Sequence, residues 1–429
     1  MSDALIRIRN LTRRFHTPSG IVHAVEDVSF DIPRGSITGL VGESGSGKTT
    51  LGRTLLRLVQ PSAGQIHFDG TDITTLPDAK MRDMRRRMQI IFQDPMSSLN
   101  PRLKVGDLVA EGLRAHGIGT RAERRDRVAA LLEEVGLSAD HMNRYPHAFS
   151  GGQRQRIGIA RALALEPEFI VADESVSALD VSIQAQVLNL LLDLRQKRNL
   201  TMLFIAHDLS VVNYLCDQVA VLYLGRLMEI GPAAAIHKAS AHPYTRALNS
   251  AIPLPDPRAA RGRTPLQGDI PSPLNPPSGC VFRTRCPHAA EICAQGAPTA
   301  HPVTPDHQSH CKRAEDLYGH HVAANPQATY RADVPGSRPV PASQRRRQHR
   351  LRVAHGGHDG LDGPVAGRTA SHDRREAGGG IRGDLCHGPR RRQRSQRRSR
   401  SFRRPAPLWQ AHPREFAPSD PQPALTGNG

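Results

Sequence analysis

The sequence predicts an α/β fold: a core of buried strands alternating with helices, entered through an antiparallel sheet, interrupted by a helical insertion and followed by a Pro- and Cys-rich extension. Three observations predict it. Short apolar runs at residues 36–41, 88–92, 169–173 and 201–206 recur with helix-period segments between them. The first run opens into a glycine-rich loop, 42–49, that continues as a helix. Residues 5–35, by contrast, alternate in strand fashion before any helical pattern begins.

Taken in order, residues 5–9, 22–25 and 28–32 read as three strands of an antiparallel sheet closed by Pro33, Arg34 and Gly35. Phe15 falls in the first connection, where its ring either packs or stacks on a base. The strand at 36–41 then meets Gly42, Glu43, Ser44, Gly45, Ser46, Gly47, Lys48 and Thr49. Glycines let consecutive backbone N–H groups turn inward with no Cβ in the way, and the following helix N-terminus adds about half a positive charge. That is a phosphate cradle, in which Lys48 reaches the β- and γ-phosphates of a nucleotide and Thr49 holds Mg²⁺. A Gly/Ser surface loop would leave the buried strand before it without a purpose.

Residues 64–70 read as a further strand and turn, and 88–92 as a buried strand ending at Gln93, whose amide can reach a metal or water at a strand's C-terminal end. From 103 to 144 the pattern turns helical, most clearly over 121–135, and the charged face there reads as solvated. Ser150 is a natural N-cap for a helix running to Leu165, with Gly151 and Gly152 freeing the backbone. This is either a second anion-receptive helix start or simply a capped helix. The strand at 169–173 ends on Asp173 and Glu174. Paired acids are costly to bury unpaired, which points to Asp173 binding Mg²⁺ through water and Glu174 polarising the water that attacks the γ-phosphate. Residues 177–180 make a turn, 183–195 an amphipathic helix, and the strand at 201–206 ends at His207, placed to contact the γ-phosphate.

Composition bounds the remainder. Residues 321–429 hold 21 Arg, no Lys and 8 acidic residues, so most of the net charge of +18 belongs to that tail. The tail shows no periodicity and reads as disordered, either a basic arm attracted to RNA or membrane, or an out-of-frame extension. No apolar run reaches the ~18 residues of a membrane span, and the N-terminus lacks a signal-peptide core, so a cytoplasmic chain is expected. Cys280, Cys286, Cys293 and Cys311 lie in a Pro-rich stretch at spacings of five, six and seventeen residues. Four such thiolates can ligate zinc or an iron-sulfur cluster, with free thiols the alternative.

Glycine loop, Gln93, the run Phe149 to Gln153, Asp173 with Glu174, the turn Ser177 to Asp180 and His207 together resemble an ABC transporter ATP-binding subunit, over residues 5–313. Residues 91–102, 241–248 and 271–280 resemble the dipeptide/oligopeptide and nickel uptake subfamily, in its second-ATPase type. The resemblance implies a P-loop NTPase (RecA-like) core with a helical ABC-specific subdomain, divided as 1–250 for the ATP-binding domain (helical part about 95–160), 251–318 for the four-Cys extension and 319–429 for the tail. It implies ATP and Mg²⁺ as ligands. Phe15 would stack on adenine, and Gly42 with Ser44 through Thr50 would line the phosphates. Thr49, Gln93 and Asp173 would serve Mg²⁺, while Lys48, Gln93, Glu174 and His207 would carry catalysis. Ser150, Gly151, Gly152 and Gln153 would complete an opposing subunit's site, with Asp180 at the dimer contact. The cysteine quartet would hold a [4Fe-4S] cluster. Partners implied are a second ATPase (heterodimer or homodimer), two permeases and an extracytoplasmic solute-binding protein, with the chain peripheral on the cytoplasmic face of the inner membrane and no specific nucleic acid. Ser175 and Ala148 depart from the family, where Pro and an acid are common, but neither is a reacting group. Rival readings are a soluble ABC ATPase acting on nucleic acid or ribosomes, and an interaction subunit without turnover.

Overall fold

The computed structural model describes residues 3–177, 179–252 and 266–318. The chain divides into compact units of residues 1–332 and 333–429, and every described residue lies in the first. The Arg-rich tail expected over 319–429 lies outside the described residues.

Strands β1 (Ala4–Thr17) and β2 (Gly20–Pro33) form one long antiparallel hairpin rather than three short strands. The two runs expected at 22–25 and 28–32 belong to the same strand, interrupted where Asp27 takes φ 56°. Across the irregularity the Asn10 amide donates to the Asp27 carboxylate at 2.8 Å. Phe15 therefore stands inside β1, opposite Val22, and not in a connection; the Arg13 guanidinium lies over its ring at 4.3 Å. Strand β3 (Ile37–Val41) starts a second sheet, and the helix Lys48–Leu55 follows the glycine loop. The chain then returns to the first sheet as β4 (Ala63–Phe68) and β5 (Thr71–Asp72), giving the order β2-β1-β4-β5.

The second sheet gains β6 (Met88–Ile91), β7 (Phe169–Asp173), β8 (Thr201–Ile205), β9 (Gln218–Tyr223), β10 (Arg226–Pro232), β11 (His301–Thr304) and β12 (His307–Ser309), in the order β11-β12-β10-β9-β3-β8-β7-β6. Strands β6, β7, β8, β3 and β9 run parallel; β10, β12 and β11 add antiparallel edge pairs. Parallel strands are covered on both faces, and the period-2 alternation shows how. Phe169, Val171, Leu203 and Ile205 enter a core shared with the antiparallel sheet and the helix Lys48–Leu55. Ile170, Ala172, Met202 and Phe204 enter the other, shared with the helices Gly151–Leu163 and Val181–Arg198.

Between β6 and β7 the helical stretch is a series of short pieces, broken where Gly117 and Gly119 take φ near +67°, before the longer helix Arg121–Glu134. That helix starts in a reciprocal cap between Thr120 and Glu123. No helix among the described residues is long and apolar enough to cross a membrane.

The Pro/Cys-rich segment is built into the larger sheet. Strand β12 pairs with β10, and Val281 and Phe282 fill the second core. Beneath this junction the fully buried Glu229 accepts from the backbone N–H groups of Ala241 (2.6 Å) and His242 (3.0 Å) and lies 2.7 Å from His307 Nε2 of β12. His242 caps the helix Pro243–Ser250, its Nδ1 accepting from the Tyr244 N–H at 3.1 Å. Burial, and secondarily the nearby His310, depress the His242 pKa from 6.5 to about 3. The folded state therefore refuses a proton that the unfolded chain accepts below pH 6.5. Stability is complete above that pH and falls by about 1.4 kcal/mol per pH unit as acid is added towards pH 3. His242→Asn keeps a capping acceptor without titrating, so its melting temperature should fall less between pH 6.5 and 4.5 than that of the parent. Equal slopes in a pH series of thermal melts would remove His242 as the cause.

Candidate functional site

Because β6, β7, β8 and β3 are parallel neighbours, their C-terminal ends share one edge of the sheet, and whatever follows each strand is delivered there. The glycine loop follows β3, Gln93 follows β6, Asp173 ends β7 with Glu174 next after it, and His207 follows β8. The fold thus collects into one crevice residues that lie far apart in the chain.

The loop backbone requires its glycines. Gly42, Gly45 and Gly47 take φ of 154°, 77° and 96°. A Cβ on Gly42 would sit 2.1 Å from the Leu222 carbonyl oxygen, and one on Gly47 2.1 Å from that of Ala24, whereas Gly45 faces open space. Lys48 is buried, and its Nζ donates to the carbonyls of Gly42 (2.8 Å) and Glu43 (3.0 Å), so the loop curls around its own ammonium group. Burial lowers the Lys48 pKa, against the opposing pull of Glu174, Asp173 and Glu43.

Thr49 Oγ1 donates to Asp173 Oδ1 at 2.9 Å, and Arg53 approaches the same carboxylate at 4.0 Å. Asp173 is 1% exposed, and burial raises its pKa despite the Thr49 hydrogen bond and the neighbouring cations. A buried carboxylate paired with a hydroxyl is a hard oxygen set that suits Mg²⁺, and a divalent cation would relieve the burial penalty. Gln93 Nε2 donates to Glu174 Oε2 at 2.7 Å, which places Gln93 beside this pair. Glu174 itself takes φ 42°, a left-handed backbone for a non-glycine residue, with its N–H held by the Ile205 carbonyl at 3.0 Å. His207 and Glu174 line the same small cavity, with Gln184 and Asp208. The acids and amide therefore converge on the end of the phosphate loop.

The remaining predicted residues are placed elsewhere or used differently. Ser150 and Gln153 form a reciprocal cap: Ser150 Oγ accepts from the Gln153 N–H at 3.4 Å, and Gln153 Oε1 from the Ser150 N–H at 3.1 Å. Gly151 and Gly152 open that helix without positive φ, so backbone freedom is not their purpose. A Cβ on Gly152 would lie 2.4 Å from Ile183 Cγ2, so close packing requires it; Gly151 meets only an ordinary contact with Leu179. Asp180 precedes the helix Val181–Arg198 with no side-chain cap bond, beside Val181, which is 83% exposed. Thr50, half-buried, lies in the first turn of the loop helix.

Of the alternatives open for the cysteine quartet, free thiols fit the described residues. Burial pushes up the thiols of Cys280, Cys286 and Cys311, the last to about 11, and each feels others of the quartet. The Cys280 N–H also donates to the Cys293 carbonyl at 2.8 Å. Yet among the described residues no group of three or more His, Cys, Asp or Glu is arranged to hold a metal ion. The described arrangement of the quartet therefore gives no support to a [4Fe-4S] cluster, whose four thiolates must converge on one point.

Sequence reasoning also missed contacts around Glu43. Its carboxylate pairs with both arms of Arg285 at 2.7 and 3.1 Å, and its N–H donates to the Tyr244 hydroxyl at 3.0 Å. The available signal was an acid placed inside an anion-binding loop, which calls for a counter-charge from elsewhere.

Residues 25–177 match the ABC transporter family and residues 228–293 the oligopeptide/dipeptide transporter C-terminal region. A putative peptide import ATP-binding protein of Brucella ovis is 61% identical over 309 residues, covering 72% of this chain and 98% of the relative. The oligopeptide transport ATP-binding protein AppF of Bacillus subtilis is 48% identical over 319 residues, covering 72% and 97%. Among solved structures, the dimeric bacterial ABC transporter cassette MJ0796 is similar with TM-score 0.50 and 29% identity, over 53% of this chain and 98% of that one. On matched domain, strand order and phosphate loop together, this chain belongs to the ATP-binding subunits of ABC transporters, in the branch that carries the oligopeptide/dipeptide C-terminal region.

Proposed function

We propose that this subunit hydrolyses ATP to drive uptake of peptides or similar small solutes through two partner permeases, acting as a peripheral subunit on the cytoplasmic face of the inner membrane. A second ATPase, preferably a different chain, would face it, and an extracytoplasmic solute-binding protein would deliver the cargo. The observation that carries the reading is the convergence of Lys48, Thr49, Gln93, Asp173 and Glu174 on one sheet edge. Names of the relatives supply the cargo class.

In this reading Gly42 and Ser44 through Thr50 hold the phosphates, and Lys48 exchanges its two carbonyl partners for phosphate oxygens. Thr49, Asp173 and Gln93 would serve Mg²⁺, which when bound offsets phosphate charge. Glu174 takes the proton of the water that attacks the γ-phosphorus, and the bond from that phosphorus to the β-γ bridging oxygen breaks to release ADP and phosphate. His207 contacts the γ-phosphate, and Phe15 supports the base. Ser150, Gly151, Gly152 and Gln153 would meet the opposing subunit's nucleotide, with Asp180 and the exposed Val181 at the contact between the two.

The test is transport by the complete assembly. Proteoliposomes holding the permeases, both ATPases and the binding protein should accumulate labelled di- and oligopeptides only with ATP and only with this subunit present. Peptide accumulation unaffected by omitting the subunit, with tight nucleic-acid binding by it instead, would favour the soluble ATPase reading.

A further inference from the structure

An acid inside a phosphate-binding loop is a liability. Glu43 lies between Gly42 and Ser44, and an uncompensated carboxylate there repels the three charged groups of ATP at short range. Every polar group of Glu43 is nevertheless occupied. Its carboxylate takes both arms of Arg285, its N–H donates to Tyr244, and its carbonyl accepts from Lys48. Arg285 is itself fixed: it is 9% exposed, donates through Nε to the Gln267 carbonyl at 3.3 Å and through an arm to the Tyr223 hydroxyl at 3.4 Å. The rings of Tyr223, Tyr244 and Phe282 pack with centroids 4.8 to 5.4 Å apart, directly under this contact.

We propose that Arg285, a residue of the C-terminal extension, is a positioning residue for the nucleotide site: it neutralises Glu43 and fixes the phosphate loop through a forked ion pair. A guanidinium can do this where an ammonium cannot, because its planar fork meets both carboxylate oxygens at once. Stability alone is a weak reason for the pair, since enclosed ion pairs seldom outperform apolar packing of equal volume. The contact makes the extension a structural part of the ATP site, which explains why the segment is built into the core sheet through β12 and the Glu229–His307 contact. The proposal rests on the ATP-binding reading above.

The test measures ATP and ADP dissociation constants by calorimetry on the full chain, with ATPase kinetics alongside. Arg285→Gln leaves Glu43 unpaired and is expected to weaken ATP binding by about 10- to 100-fold, ADP by less, and both less at high salt. Because the loss is in binding, KM should rise while kcat at saturation stays within about threefold. Arg285→Lys should fall between the two. The double variant Glu43→Gln, Arg285→Gln has no unpaired charge and should return to within about threefold of the parent. A merely structural role for Arg285 predicts the opposite: the double variant as weak as the single one, with ATP and ADP affected alike. That result, or parental ATP affinity in Arg285→Gln, overturns the proposal. Should Arg285→Gln fail to fold, the double variant and Glu43→Gln alone decide it, both being expected to bind ATP at least nearly as well as the parent. Failure of the parent itself to bind ATP would instead strike the underlying functional reading.

Discussion

Glu174→Gln is expected to stop turnover while leaving nucleotide bound. The substitution is nearly isosteric, and the Gln93 Nε2 that donates to Glu174 Oε2 at 2.7 Å still finds an amide oxygen at that place. What disappears is the base. Loss of a positioned general base lowers kcat by about 10²- to 10⁴-fold. One negative charge is also removed from beside Lys48 and Asp173, which favours the polyphosphate, so ATP should be retained through gel filtration when the parent retains only ADP. Steady-state hydrolysis and retention of radiolabelled ATP measure the two halves of the claim. Residual kcat within about tenfold of the parent would assign the base elsewhere.

The second large effect is expected from Lys48→Met, which keeps the stem and deletes the charge. Lys48 is the donor to both Gly42 and Glu43 carbonyls, and it is only 5% exposed. ATP affinity should fall by roughly 10²- to 10³-fold, since charge-assisted bonds to phosphate are about twice as strong as neutral ones. The nucleotide-free protein should weaken as well, by about 1–3 kcal/mol, because two enclosed carbonyls lose a partner. Asp173, already raised by burial, also loses a neighbouring cation. Urea unfolding without nucleotide and an ATP titration separate these losses. Wild-type affinity in this variant would mean that the loop does not bind phosphate as described.

The site was legible wherever its chemistry is local. A glycine loop between a strand and a helix needs φ values that Gly42, Gly45 and Gly47 supply by themselves, and the Ser150–Gln153 cap closes within three residues. Strand-end acids were legible because apolar runs of five residues announce buried strands. Phe15 was misplaced because a bulge near Asn10 and Asp27 lets one strand run on where alternation falters. Reading Gly151 and Gly152 for backbone freedom missed a related point: Gly152 is required by the approach of Ile183, a residue on another helix.

By itself, then, the sequence determined the phosphate loop, the buried strands that feed it, and the acids and amide placed at their ends, because those follow from backbone sterics and side-chain periodicity within a few residues. Tertiary structure alone decided that β12 joins β10, that Glu229 is satisfied by His307, and that Arg285 closes on Glu43 across 242 residues of chain. Such pairs form only after the intervening chain has been ordered, at an entropic cost that core burial offsets. No local pattern can encode them, since each half looks like an ordinary polar residue until the sheet brings its partner alongside.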